Sequence, residues 1–208
     1  GHAMNKKTER FLLVAYVLSL MFMLVGATYA YFSVIRVSNV SPVIEVDTAQ
    51  LDSILFDAGF PISIYADNEN FQKGMGSITS DTFARAYLKT NGENVTYKYN
   101  LFLDLLENNF VYSTEDKKAE IILKVIDPFG NELKSLDGLE YAISNGVSGF
   151  DITDKKGKFY IARDYSITTS NEIMHKWSFY VTFVNLETNQ EVNHSKKLNG
   201  YVKIEKGE

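Results

Sequence analysis

Residues 176–186 read KWSFYVTFVNL. Trp177, Phe179, Val181 and Phe183 share one side of an extended chain, and Ser178, Tyr180 and Thr182 share the other. Side chains alternate across a strand with a period of two, so this stretch reads as a strand with one face in a core. Its β-branched and aromatic residues suit a pleated, half-buried surface. One apolar face and one polar face is the pattern of an antiparallel sheet.

The same signal recurs on both sides of it. Residues 97–105 (YKYNLFLDL) place Tyr97, Tyr99, Leu101 and Leu103 on one face. Residues 119–126 (AEIILKVI) form a more continuously apolar strand, ending in the turn Asp127-Pro128-Phe129-Gly130. There Pro presets φ and Gly takes the strained position, and the chain from Glu132 onward is expected to return as a hairpin partner. Asp154-Lys155-Lys156-Gly157 separates residues 150–152 from residues 158–162 (KFYIA) and reads as a second hairpin. Residues 198–204 (LNGYVKI) supply a final strand. Short strands spaced by turns predict a mainly β fold, an antiparallel β-sandwich of jelly-roll-like type. Residues 48–58 are ambiguous, since Leu51, Ile54 and Leu55 have helical spacing while Ile54 and Phe56 alternate. Residues 80–86 (SDTFARA) share that ambiguity.

Residues 11–35, FLLVAYVLSLMFMLVGATYAYFSVI, carry no charged side chain and follow Lys6, Lys7 and Arg10. About 20 apolar residues in a helix cross a hydrocarbon core of roughly 30 Å. The cations place the N-terminus in the cytoplasm, and Tyr29, Tyr31 and Phe32 suit the outer interface. Two readings stay open: a retained signal anchor, or a signal peptide cut after the small-residue patterns ending at Ala27 or Ala30. Gly1-His2-Ala3-Met4 reads as a cleaved-tag scar. The expected organisation is therefore residues 1–4 scar, 5–10 cytoplasmic basic segment, 11–35 transmembrane anchor or signal segment, 36–43 short stalk and 44–208 extracellular β-sandwich domain. The expected location is the cell membrane, single-pass with the C-terminal domain outside, or the medium if the segment is cleaved.

Charge is divided unevenly along the chain. Lys6, Lys7, Arg10 and Arg36 against Glu9 give the first 36 residues a net +3, which leaves −8 for the remainder of a chain totalling −5. So acidic a remainder argues against nucleic acid as a partner, because neutralising phosphates needs clustered Lys and Arg. With no cysteine, disulfides, thiolate metal sites and thiol nucleophiles are all excluded.

Three stretches carry a resemblance: GATYAYFS at 26–33, TYKYNLFLDLLENNFVYST with AEIILKVIDPFGNEL within 96–133, and WSFYVTFVNLETNQEVNHSKKLNGYVKI at 177–204, with GVSGFDI at 146–152. Together they resemble a family of uncharacterised, single-anchor, β-rich surface proteins of Gram-positive bacteria. The TYAYFS junction alone is similar to the export region of the TasA and camelysin group. That group includes jelly-roll biofilm-fibre subunits and a protein described as a surface metalloprotease. By analogy with the surface family, residues 48–66 are expected to be strands.

Chemistry-bearing residues are sparse. Zinc proteolysis needs paired His on one helix face with a general base, and no HExxH occurs. Of His2, His175 and His194, the first belongs to the scar and the other two are expected at the surface. Calcium needs six to eight converging oxygens. Asp151 with Asp154, Asp127 with Asn131 and Glu132, and Asp67-Asn68-Glu69-Asn70 read as solvated turns, the last as the best calcium candidate. No GxSxG elbow and no phosphate-binding glycine loop occurs. Paired carboxylates for glycoside hydrolysis stay open, because their pairing is spatial. The 13 Tyr and 14 Phe offer stacking surfaces but are expected to fill the space between two sheets, with Trp177 anchoring that core.

The expectation is a non-enzymatic, membrane-tethered surface protein with no catalytic residue, metal or cofactor. It would contact membrane lipid through its helix, and itself or other surface proteins through exposed sheet edges, in adhesion or fibre assembly. Residues 34–46 are the candidate donor strand for such assembly. The alternatives are a camelysin-like surface metallopeptidase and an accessory subunit of a membrane complex, the latter packing through Ser19, Gly26 and Ala27.

Overall fold

The computed structural model describes residues 6–8, 10–22, 43–47, 52–67 and 76–208. The chain divides into two units, Gly1–Asn39 and Val40–Glu208. In the first, residues 6–8 and 10–22 are helical and every one of them is exposed. Phe11, Leu13 and Phe22 are 73%, 67% and 76% exposed. No helix among the described residues is long and apolar enough to cross a membrane. Residues 23–35 of the expected span, the cleavage positions Ala27 and Ala30, and the small residues Gly26 and Ala27 lie outside the described residues, as do His2 and residues 68–70.

The second unit is mainly β. Its strands are β1 (Val43–Asp47), β2 (Asp52–Ala58), β3 (Ile62–Tyr65), β4 (Ile78–Lys89), β5 (Val95–Asn108), β6 (Ile121–Ile126), β7 (Tyr141–Ser144), β8 (Val147–Asp151), β9 (Gly157–Thr169), β10 (Glu172–Phe183) and β11 (Lys197–Lys206). They form two sheets, one ordered β1-β2-β4-β10-β6-β8-β7 and one ordered β3-β11-β5-β9. Every pairing is antiparallel.

One apolar cluster draws on both sheets. β10 lies near the middle of the larger sheet and sends Trp177, Phe179, Val181 and Phe183 into it, each almost fully buried. From the smaller sheet come Tyr99, Leu101, Leu103 and Leu105 of β5, with Leu198, Val202 and Ile204 of β11. The alternation read at 176–186 and 97–105 is the alternation the core uses. Residues 52–58, 62–65 and 80–86 are strand, which resolves the ambiguity where it is described. Ile54 and Phe56 alternate into the core with no exposed surface, while Leu55 between them is 37% exposed.

Two expected hairpins differ from the structure. The chain after Asp127–Gly130 does turn back, with Gly130 at φ +84°. Its return is a single bridge between Ile126 and Glu132, however, rather than a strand. The turn at 154–157 does not make a hairpin: β8 pairs with β6 and β7, whereas β9 pairs with β5 in the other sheet. The turn residues are those of a hairpin, but Phe150 and Ile152 are already committed to the core beside Ile121 and Leu123. Apolar partners rather than turn chemistry choose the destination. The approach of β8 to β6 is close enough to require a glycine. A Cβ on Gly149, at φ +151°, would lie 2.4 Å from the Leu123 carbonyl oxygen.

Candidate functional site

Two polar constellations stand out against this apolar interior. The first surrounds His175. The strand alternation of β10 continues past Trp177 to His175, which is 4% exposed. The expectation of a surface histidine was therefore wrong, and the period-two pattern of Trp177 carried the missed signal. Trp177 Nε1 donates to the Tyr99 hydroxyl at 2.8 Å, and the same hydroxyl lies 2.9 Å from His175 Nδ1. Tyr165 packs edge-on to both His175 and Trp177, and Phe129 covers the histidine. Burial pushes the His175 pKa down and the Tyr99 hydroxyl pKa up, since each resists becoming charged away from water. Burial thus favours the neutral imidazole, a hydrogen-bond partner among aromatic rings, and among the described residues no carboxylate is hydrogen-bonded to it.

The second constellation closes one end of the sheets. Glu120 is fully buried just before β6. Its Oε1 accepts from the Ser113 backbone N–H. Its Oε2 accepts from Gln190 Nε2 at 3.0 Å and Asn193 Nδ2 at 2.7 Å. Asn193 also clasps Val111 through both the backbone N–H and the carbonyl. Thr153 Oγ1 accepts from the N–H groups of Glu120 and Ile121 and donates to Asp151. Asn108 Nδ2 reaches the carbonyls of Ile152, Thr153 and Lys155. Together these side chains satisfy the backbone of three irregular segments where no ladder is available.

The acidic turns at 127–132 and 151–154 spend their oxygens on nearby donors. Asp127 Oδ1 accepts from the N–H groups of Phe129 and Asn131. Glu132 accepts from the Tyr141 hydroxyl at 2.7 Å, which draws its pKa down, with Lys134 adding to the effect. Asp151 accepts from Thr153 and from the Tyr112 hydroxyl at 2.8 Å, and burial together with that bond pushes the Tyr112 pKa up. Asp154 pairs with Lys155 at 3.5 Å. His194 closes the 3-10 turn Glu191–Asn193 through its backbone N–H. Among the described residues, no group of three His, Asp or Glu side chains is placed to hold a metal ion.

Among the clefts of the second unit are two shallow ones. One of about 340 Å³ is lined by Tyr112, Gly138, Leu139, Glu140, Asp151 and Lys155. The other, of about 260 Å³, lies between residues 135–137 and residues 160–163 of β9. The sheets also end in open edges. β1 and β7 border the larger sheet, and β3 and β9 border the smaller one. β1 is five residues long, and among the described strands only β2 pairs with it.

No protein-family model matches this chain, and no curated protein matches it.

Proposed function

We propose that this chain is a membrane-tethered surface protein of a Gram-positive bacterium that acts by contact rather than catalysis. Its helix anchors a jelly-roll-like sandwich outside the cell, and a sheet edge pairs with a second copy. The observation that carries this reading is β1. Among the described residues it is the first strand after the apolar segment, it lies at a sheet edge, and β2 alone pairs with it. A strand in that position exchanges at low energetic cost, because leaving β2 on one molecule and joining β2 on another makes the same five-residue ladder.

The helix supports the tether. Its described apolar side chains are all exposed, and an apolar surface of that kind calls for lipid or a partner. The stretches resembling single-anchor surface proteins agree with it. No donor set among the described residues favours the metallopeptidase alternative.

Sedimentation of residues 31–208 and 48–208 over a hundredfold concentration range tests the proposal. The longer form, which retains β1, should assemble as concentration rises, and electron micrographs should show fibres. The shorter form should stay monomeric. A longer form that remains monomeric throughout refutes strand exchange.

A further inference from the structure

Residues 40–208 contain two arginines, Arg85 and Arg163. Both stack on aromatic rings, Arg85 over Phe83 at 4.8 Å and Arg163 over Tyr160 at 3.6 Å. Arg85 then completes its fork on Asp57, through Nε to Oδ1 at 2.8 Å and through a second bond to Oδ2. Arg163 has no such partner: among the described residues no carboxylate or carbonyl accepts from it. A guanidinium stacked by its face keeps its in-plane donors, pre-oriented for a bidentate oxyanion.

The surroundings fit an anionic ligand. Lys158 Nζ lies 3.7 Å from the Phe102 ring and 4.7 Å from the Tyr160 ring; it forms no ion pair among the described residues, although Asp104 stands opposite it on β5. Phe102 points away from the shared core yet is only 5% exposed, because these side chains lie over it. Two unpaired cations on adjoining rings are out of character for a part of the chain that carries −8. The cleft beside them has Tyr160 and Arg163 on one side and Ser135, Leu136 and Asp137 on the other, so a ligand's carboxylate belongs at the Arg163 side and its hydroxyls at the Asp137 side. At about 260 Å³ it falls below the usual range for drug-sized ligands and suits a single ring. A peptide strand is a poor occupant of this edge. The register of β9 shifts twice near Leu101, and Asp164 sits at φ +47°, so the ladder that an added strand needs is broken.

We propose that the Arg163–Tyr160 corner, with Lys158, binds an acidic polysaccharide. One sugar ring occupies the cleft, its carboxylate takes the free edge of Arg163, and a neighbouring carboxylate meets Lys158. This goes beyond the strand-exchange reading and does not rest on it, since β1 and β9 belong to different sheets.

Calorimetry of the full chain in neutral-detergent micelles, titrated with tetragalacturonate, tests it. Binding should appear, weaken with added salt, and be absent with neutral dextran oligomers. Arg163→Gln should weaken it roughly tenfold or more, and Arg163→Lys should recover only part, because an ammonium cannot bind bidentately. Arg85→Gln, whose fork is already occupied, should change it less than twofold. Three results each overturn the site: no heat above dextran, an Arg163→Gln affinity equal to the parent, or stronger Arg163-dependent binding to phosphatidylglycerol micelles than to tetragalacturonate. Unchanged circular dichroism of Arg163→Gln is expected, since the side chain is exposed, and separates lost binding from lost folding.

Discussion

The middle of the second unit and its Glu120 end are stabilised in opposite ways. In the middle, Phe179, Leu101, Leu103, Ile54 and Phe56 meet with no specific partner required of any of them, and Trp177 adds one hydrogen bond to its packing. At the end, Glu120, Asn108, Thr153, Gln190 and Asn193 each have named hydrogen-bond partners in defined directions. Apolar contact scales with area and tolerates small rearrangement, whereas a buried polar group loses its full desolvation when one partner is removed. The middle therefore sets how stable the unit is. The end determines which loop conformations it has.

Substitutions at matched positions test that contrast. Trp177→Ala should have the largest effect, about 3–5 kcal/mol in urea unfolding, because a fully packed ring is lost and the Tyr99 hydroxyl loses a donor. Glu120→Gln should follow at about 2–3 kcal/mol, since three donors face a carboxylate and an amide must turn an NH₂ towards one of them. Hydrogen exchange should show that loss confined to residues 108–120 and 184–196. If the Glu120→Gln loss spreads evenly over the core, or falls below 0.5 kcal/mol in order of magnitude, the contrast fails.

A smaller effect comes from His175. Its folded pKa lies below the unfolded value of about 6.5, so the neutral ring contributes its full stability above that pH. Stability should decline as pH falls from there towards the folded value, and His175→Phe should flatten this part of the profile. A parent and variant with parallel profiles between pH 7 and 5 would remove the histidine from the account. Smallest of all is Asp57→Asn. It breaks the Arg85 pair, whose side chains are 40% and 30% exposed, and should change stability by roughly 0.5–1 kcal/mol or less.

The same contrast separates what the sequence disclosed from what it hid. β10, β5 and β11 were legible because burial on one face of a strand imposes a period of two, and that period survives in a single chain. His175 belonged to the same pattern and was misplaced by reading histidine as a surface type. The Glu120 cluster left no local trace. Glu120 was read as part of an apolar strand over 119–126, whereas the strand begins at Ile121. Its partners Gln190 and Asn193 lie about seventy residues away in what reads as a solvated turn. The sheet to which each strand belongs was equally hidden, because Asp154–Gly157 bends the chain in the same way whether the next strand pairs locally or crosses over. Arg163 also left no trace, since it lies where the register of β9 against β5 shifts, between Ala162 and Tyr165.

The position of β11 governs the timing of assembly. Residues 197–206 lie between β3 and β5, so until they arrive β3 has no neighbour and β5 is flanked only by β9. The smaller sheet therefore closes around strands far apart in the chain, which makes refolding slow.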